Sequence, residues 1–185
     1  MDLKEKLFNR VPLKILSYLI RLPHVSHYER EIARTVQVSV GATNQTLRLL
    51  LALGVVVRER RGQLYLYRII TGNPLVQEFK KFENILELTE LVARLRKICH
   101  KVALYGSCAG GEDTIESDVD LFIVSDQREH VLRETRKETK RIRREIRPVV
   151  VTVAEYLSMR NKKEVLLEEV DQGIVLYEKS YDPGV

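Results

Sequence analysis

Two carboxylates two residues apart, Asp118 and Asp120, open the β-forming run Val119 to Val124 within the stretch KVALYGSCAGGEDTIESDVDLFIV. A strand repeats every two residues, so both carboxylates are expected on one face at its start. Carboxylates that close repel each other, and they stay ionised most readily when they share a hard divalent cation such as Mg²⁺ or Mn²⁺. Upstream, Gly106-Ser107 breaks an earlier β-run, Val102 to Tyr105, into a loop rich in small residues. Gly106 lets backbone N–H groups approach a phosphate, and the Ser107 hydroxyl adds a donor. A phosphate cradle facing a carboxylate pair is the equipment of metal-assisted nucleotidyl transfer, in which metals clamp the attacking and leaving oxygens. The bland alternative is a Gly-rich turn followed by a strand with a solvated acidic edge.

Gly-Ser, ten residues, then Asp-x-Asp flanked by β-formers resembles the signature of the polymerase-β-type nucleotidyltransferases. It is most similar to their minimal archaeal and bacterial members, including those that act as antitoxins to HEPN-domain toxins. The resemblance covers roughly residues 87–178. It implies that Gly106 and Ser107 hold the triphosphate of an NTP, ATP first among the candidates, and that Asp118 and Asp120 ligate Mg²⁺ (or Mn²⁺). It also implies a protein acceptor, such as a toxin. Active members usually carry a third carboxylate, as general base or extra ligand, on the strand matching PVVVTV. This sequence has Thr152 there, and Glu155 just beyond is the candidate catalytic substitute.

The elements that must position these residues follow in order. A helix is expected over 128–147, a β-run over Val149–Val153, a helix over about 160–171, and a last run over Gly173–Tyr177. The first of these helices is strongly basic, with Arg136, Lys137, Lys140, Arg141, Arg143 and Arg144. Its apolar stripe is thin. It reads either as a solvated face laced with Glu–Arg pairs or as a cationic shelf for nucleic acid or an acidic partner. The four histidines and the two cysteines, Cys99 and Cys108, show no ligand spacing, so reduced thiols are expected.

The N-terminal part has a different character. Pro12 can open a helix that Pro23 ends, and Ser26 with Glu29 forms a capping box for a second. Ser39 caps a third, which runs to Gly54. On that third helix Thr43, Leu47, Leu50 and Leu51 form one stripe. Gly41, Gln45 and Arg48 lie opposite it, with Asn44 at the flank. Gln and Asn can pair bidentately with adenine, and Arg with guanine. Next, VVVRER, RGQ and LYLYRII read as a β-hairpin with Arg58, Arg60 and Arg61 at its tip. The stretch SVGATNQTLRLLLALGVVVRERRGQLYLY resembles the winged helix-turn-helix repressors of bacteria and archaea, which implies double-stranded DNA as a partner and a homodimer. The alternative use is for protein contacts alone.

Charge supports this division. The net +5 is distributed as +7 over residues 1–73, −4 over 74–127, +5 over 128–147 and −3 over 148–185. Basic patches suit polyanions, because neutralised phosphates release counterions. Between the parts, Thr71-Gly72-Asn73-Pro74 is turn chemistry, with Asn73 as N-cap. Leu75, Phe79, Phe82 and Leu86 follow on one helical face, expected to be core. Three segments result: residues 1–72, a connector helix over 73–86, and residues 87–185. MDLKEKLFNR lacks an apolar signal region and no run is long enough to span a membrane, so a cytoplasmic chain is expected. The expected fold class is α/β, an N-terminal winged helix-turn-helix followed by a nucleotidyltransferase domain of mixed sheet and flanking helices. The expected function is a DNA-binding regulator with an NTP-dependent domain that adenylylates a partner, or else a repressor whose degenerate domain only binds nucleotide or protein.

Overall fold

The computed structural model describes residues 11–179; residues 1–10, which hold the reading of MDLKEKLFNR, and 180–185 lie outside the described residues. The chain divides into two compact units between Lys80 and Lys81.

The first unit runs α1 (Val11–Arg21), β1 (His27–Tyr28), α2 (Glu29–Val36), α3 (Val40–Ala52), β2 (Val56–Arg61) and β3 (Leu64–Ile69). The three strands form an antiparallel sheet in the order β1-β3-β2. Ile15, Leu19 and Ile20 of α1 meet Ile32, Leu47, Leu50, Tyr67 and Ile69 in one core. Pro12 sits in the first turn of α1, where its missing N–H leaves no bond unmade. The capping box expected from Ser26 and Glu29 is not formed. His27 and Tyr28 pair instead with Tyr67 and Leu66 of β3, which consumes as strand the residues that would have begun the helix. Glu31 then does the capping, accepting from the Tyr28 backbone N–H at 3.3 Å. Ser39 caps α3 as expected, its Oγ accepting from the Ala42 N–H at 3.2 Å. Gly54, at φ +66°, follows the last turn of α3 in the left-handed conformation that a glycine tolerates.

One continuous helix, α4 (Pro74–Leu95), follows the Asn73 cap, whose Oδ1 accepts from the Leu75 N–H at 2.8 Å. The apolar face expected to be core is so only in part: Phe79 packs against the first core and Leu86 is half-buried, but Leu75 is 59% and Phe82 45% exposed. Glu83, Asn84 and Glu87 are buried instead, together with Leu88 and Leu91. Asn84 and Glu87 face inward because both bind the buried guanidinium of Arg144.

The second unit is a mixed α/β sandwich. Its elements after α4 are β4 (Lys101–Tyr105), α5 (Gly106–Gly110), β5 (Val119–Val124), α6 (Arg128–Ile142), β6 (Ile146–Val151), α7 (Val153–Lys162), α8 (Val165–Gln172) and β7 (Ile174–Glu178). The sheet order is β6-β5-β4-β7, with β5 and β6 parallel and the other pairs antiparallel. Alternation sends Leu121 and Ile123 to one core with Leu88, Leu91 and Val131. Phe122 and Val124 go to the other, against Leu167 and Val170.

Four expectations shift here. The small-residue loop at Gly106 is a five-residue helix. The basic helix stops at Ile142, because Arg143 turns left-handed at φ +57°. Strand β6 starts at Ile146 rather than Val149, since Pro148 is tolerated on a strand at the sheet edge. The helix expected over about 160–171 is two, α7 and α8, separated at Lys163, φ +52°. Among the described residues no helix is long and apolar enough to cross a membrane.

Candidate functional site

Strand β4 ends at Tyr105, which pairs with Asp120 at the start of β5. That pairing brings Gly106, the next residue, against the Asp120 side chain. Gly106 has φ +68°, and a Cβ there would lie 2.8 Å from Asp120 Oδ2. Glycine is therefore required twice, by the backbone conformation and by the carboxylate. Gly106 is exposed, Ser107 half-buried, and Asp118 and Asp120 both half-buried. The four residues expected to act together are thus brought to one end of the sheet. A cavity of about 280 Å³ opens beside Gly106, lined also by Lys81, Gly110, Glu169 and Gln172.

Electrostatics at this end combine burial with charges of both signs. Burial pushes the Asp120 carboxyl above its ordinary range, Asp118 and Glu169 push it further, and Arg147 opposes them. Arg147 is directly opposite Asp120 in the β5–β6 register. Its guanidinium lies 2.9 Å from Asp118 Oδ2. Arg147 and Glu169 were not singled out by sequence. Had the edge-strand tolerance of Pro148 been applied, Arg147 would have been found at the strand start.

The donor set suits a divalent cation held jointly with a ligand. Among the described residues no group of three His, Cys, Asp or Glu side chains is arranged to hold a metal. Two carboxylates with a guanidinium standing in for a cation remain. Mg²⁺ keeps several waters and is commonly held by one or two carboxylates plus substrate phosphates. Asp118 and Asp120 would hold such an ion, which would supply charge stabilisation at the phosphates.

Beneath the site, Arg144 is locked in place. Its Nη2 donates to Asp113 Oδ2 at 3.1 Å and lies 3.0 Å from Cys108 Sγ; its Nη1 donates to Asn84 Oδ1 at 3.0 Å and Glu87 Oε2 at 3.3 Å. Arg144 is therefore no part of a cationic shelf: it anchors the Gly106–Asp118 loop from below. Cys108 itself donates to the Asp118 carbonyl at 3.2 Å, and burial pushes its thiol up to about 11, so it is an inert packing residue. Within α6, Lys137 binds Glu134 and Arg141 binds Glu138, and Arg94 of α4 binds both acids, Glu138 at 2.6 Å.

The expectation for Glu155 is corrected. β6 runs parallel to β5, so its beginning lies beside Asp120 and its end beside Val124. Thr152 and Glu155 follow that far end. There Thr152 caps α7, and the Glu155 carboxylate accepts from the Thr152 backbone N–H at 2.7 Å and its hydroxyl at 3.0 Å. These bonds hold the Glu155 carboxyl below its ordinary range. Four strand residues, Pro148 to Val151, lie between Arg147 beside the Asp pair and Thr152. The residue of β6 that does reach the pair is a cation, Arg147.

In the first unit, Gly41, Gln45 and Arg48 are exposed on α3, and Thr43, Leu47 and Leu50 are buried behind them. Asn44 is only half-exposed, and its amide donates to Glu29 Oε2 at 2.8 Å. Arg58, Arg60 and Arg61 are exposed on β2. The Arg58 guanidinium lies 4.2 Å from the centre of the Tyr65 ring. Arg60 donates to the Gly62 carbonyl at 3.0 Å, across a two-residue turn whose first residue, Gly62, has φ +65°.

No curated protein matches the chain. Two solved structures are similar to part of it. One is a possible transcriptional regulator from Methanosarcina mazei Go1, 13% identical, covering 51% of this chain and 80% of its own at a TM-score of 0.35. The other is a candidate nucleotidyltransferase from Sulfolobus solfataricus, 15% identical, covering 58% of this chain and 92% of its own at a TM-score of 0.37. The family model described as polymerase beta, nucleotidyltransferase matches residues 77–182. That match spans more than half of the chain and includes Gly106, Ser107, Asp118 and Asp120, and on that ground the chain belongs to the polymerase beta nucleotidyltransferase family.

Proposed function

We propose that the chain is a DNA-binding regulator whose nucleotidyltransferase domain takes up a nucleoside triphosphate, ATP first among the candidates, together with Mg²⁺ or Mn²⁺. The observation that carries the nucleotide half is the apposition of Gly106 and Asp120, where a Cβ would meet the carboxylate at 2.8 Å. A bare backbone beside a carboxylate pair is what a triphosphate and its cation need in common. The DNA half rests on α3 and the β2–β3 hairpin, read as the recognition helix and wing of a winged helix-turn-helix. Gly41, Gln45 and Arg48 would face bases, and Arg58, Arg60 and Arg61 phosphates. A homodimer on a two-fold operator is the form this motif favours.

Transfer is the subordinate output. Positioning and charge stabilisation are the larger contributions to such a reaction, and the Gly106–Ser107 cradle and the Asp pair supply them. A general base is worth about 10²–10⁴-fold. β6 offers none: Arg147 holds the place beside Asp120, and Glu155 is spent at the opposite end of the strand. A slow nucleotidyl transfer to a protein acceptor, such as a toxin, is the second reading, favoured by the retained cradle and Asp pair. Incubating the full chain with α-labelled ATP, Mg²⁺ and cell extract tests the choice. Label retained non-covalently by the chain supports the regulator, and covalent label on a second protein supports the transferase.

A further inference from the structure

We propose that Arg147 is a tethered cation that occupies Asp118 while the site is free of nucleotide, yields it to a divalent cation when a nucleoside triphosphate arrives, and then binds the phosphates. The inference rests on the nucleotide-binding reading above. Three observations carry it. The β5–β6 register sets Arg147 opposite Asp120, and its Nη1 reaches Asp118 Oδ2 at 2.9 Å, so the guanidinium pairs with one carboxylate from a position beside the other. The Arg147 side chain is 61% exposed and belongs to an edge strand, so it can swing away without disturbing the core. An ion pair so exposed is a weak contact that a competing ion displaces.

The charges require the exchange to be coupled. A guanidinium and a divalent cation repel, so both cannot sit on Asp118. The cation alone would have to expel Arg147 into water and would gain only two carboxylates, since no third ligand is arranged among the described residues. A triphosphate changes both sides of this exchange. Its oxygens complete the coordination of the cation, and they give the displaced guanidinium a bidentate partner. Nucleotide and cation therefore raise each other's affinity by the same factor.

The experiment is a pair of titrations on the full chain and its Arg147→Gln variant, with circular dichroism to verify the fold. Binding of Mn²⁺ alone is read from the loss of the free-ion paramagnetic resonance signal. Arg147→Gln is expected to bind Mn²⁺ about tenfold more tightly, because a repelling positive charge is gone. Calorimetry with ATP in excess Mg²⁺ is expected to show the opposite, an affinity about tenfold lower for the variant, because a charge-assisted phosphate contact is lost. Arg147→Lys, which keeps the charge, should leave Mn²⁺ affinity near wild type. Equal Mn²⁺ affinity in wild type and Arg147→Gln overturns the proposal, as does unchanged or tighter Mg·ATP binding by the variant. Failure of both proteins to bind Mg·ATP, with the Mn²⁺ difference intact, overturns the nucleotide reading while upholding Arg147 as the competing cation.

Discussion

Arg147 and Asp118 form an ion pair of 2.9 Å at the one end of the sheet where the family signature places its carboxylates. The pair exists because β6 is parallel to β5 and begins at Ile146, so that its second residue meets the start of the β5 strand. Beside Asp120, β6 offers a positive charge and no carboxylate.

Gly106 is the residue of the cradle least able to change. Gly106→Ala adds a methyl 2.8 Å from Asp120 Oδ2 and forces a side chain into a left-handed backbone. The variant should lose Mg·ATP binding while the core strands keep their protection in hydrogen exchange. Unchanged ATP affinity would show that the phosphates bind elsewhere.

The two kinds of residue in the first unit should fail differently. Arg60→Ala with Arg61→Ala should weaken binding to every duplex and flatten the salt dependence by about one unit of slope per lost phosphate contact. Gln45→Ala or Arg48→Ala should relax sequence preference, at ~1–3 kcal/mol per bidentate contact. Asn44→Ala should affect stability before specificity, since its amide is engaged by Glu29. Fluorescence anisotropy across a salt series and a panel of duplexes measures the first two and thermal melting the third, and absence of salt-sensitive duplex binding by the intact chain would remove the DNA reading.

Arg144 is buried among Asp113, Glu87 and Asn84. Removing one partner of such a cluster strands the others without a counter-charge. Arg144→Ala should therefore cost about 3–5 kcal/mol in chemical denaturation. A loss no larger than that of an exposed arginine would mean that the network carries little weight.

Glu155 gives a test in pH. Its folded-state pKa is lowered from 4.5 by the cap bonds to Thr152. A carboxyl depressed in this way contributes stability above its ordinary pKa and loses it as pH falls through the folded value. The melting temperature of wild type should exceed that of Glu155→Gln near neutrality, and the gap should narrow as pH falls below the ordinary carboxyl value of 4.5 and close below the lowered folded value. Mg·ATP affinity should be the same in both proteins. A drop in nucleotide affinity for Glu155→Gln would return Glu155 to the site.

The site's skeleton was legible because its signals are local. A two-residue repeat puts Asp118 and Asp120 on one face, and β5 forms over Val119–Val124 as the sequence suggests. Ser39 and Gly54 bound α3 for equally local reasons, a side-chain cap and a left-handed turn. What was not legible depends on pairing at a distance. Arg147 acquires its role only from the parallel register with β5, and Pro148 disguised the beginning of its strand. Asn84 and Glu87 are inside because of Arg144, which no hydrophobic periodicity can reveal. His27 and Tyr28 become strand only because β3 lies beside them.

In the proposed reading, the carboxylate pair and the Gly106–Ser107 cradle hold a nucleoside triphosphate with its cation. The decisive measurement is calorimetric titration of ATP in excess Mg²⁺ into the full chain and into Asp118→Asn/Asp120→Asn. Saturable binding to the wild-type chain is expected, with its abolition by EDTA and no measurable binding to the double variant while its fold persists. Equal ATP affinity in the two proteins would refute nucleotide binding at this site.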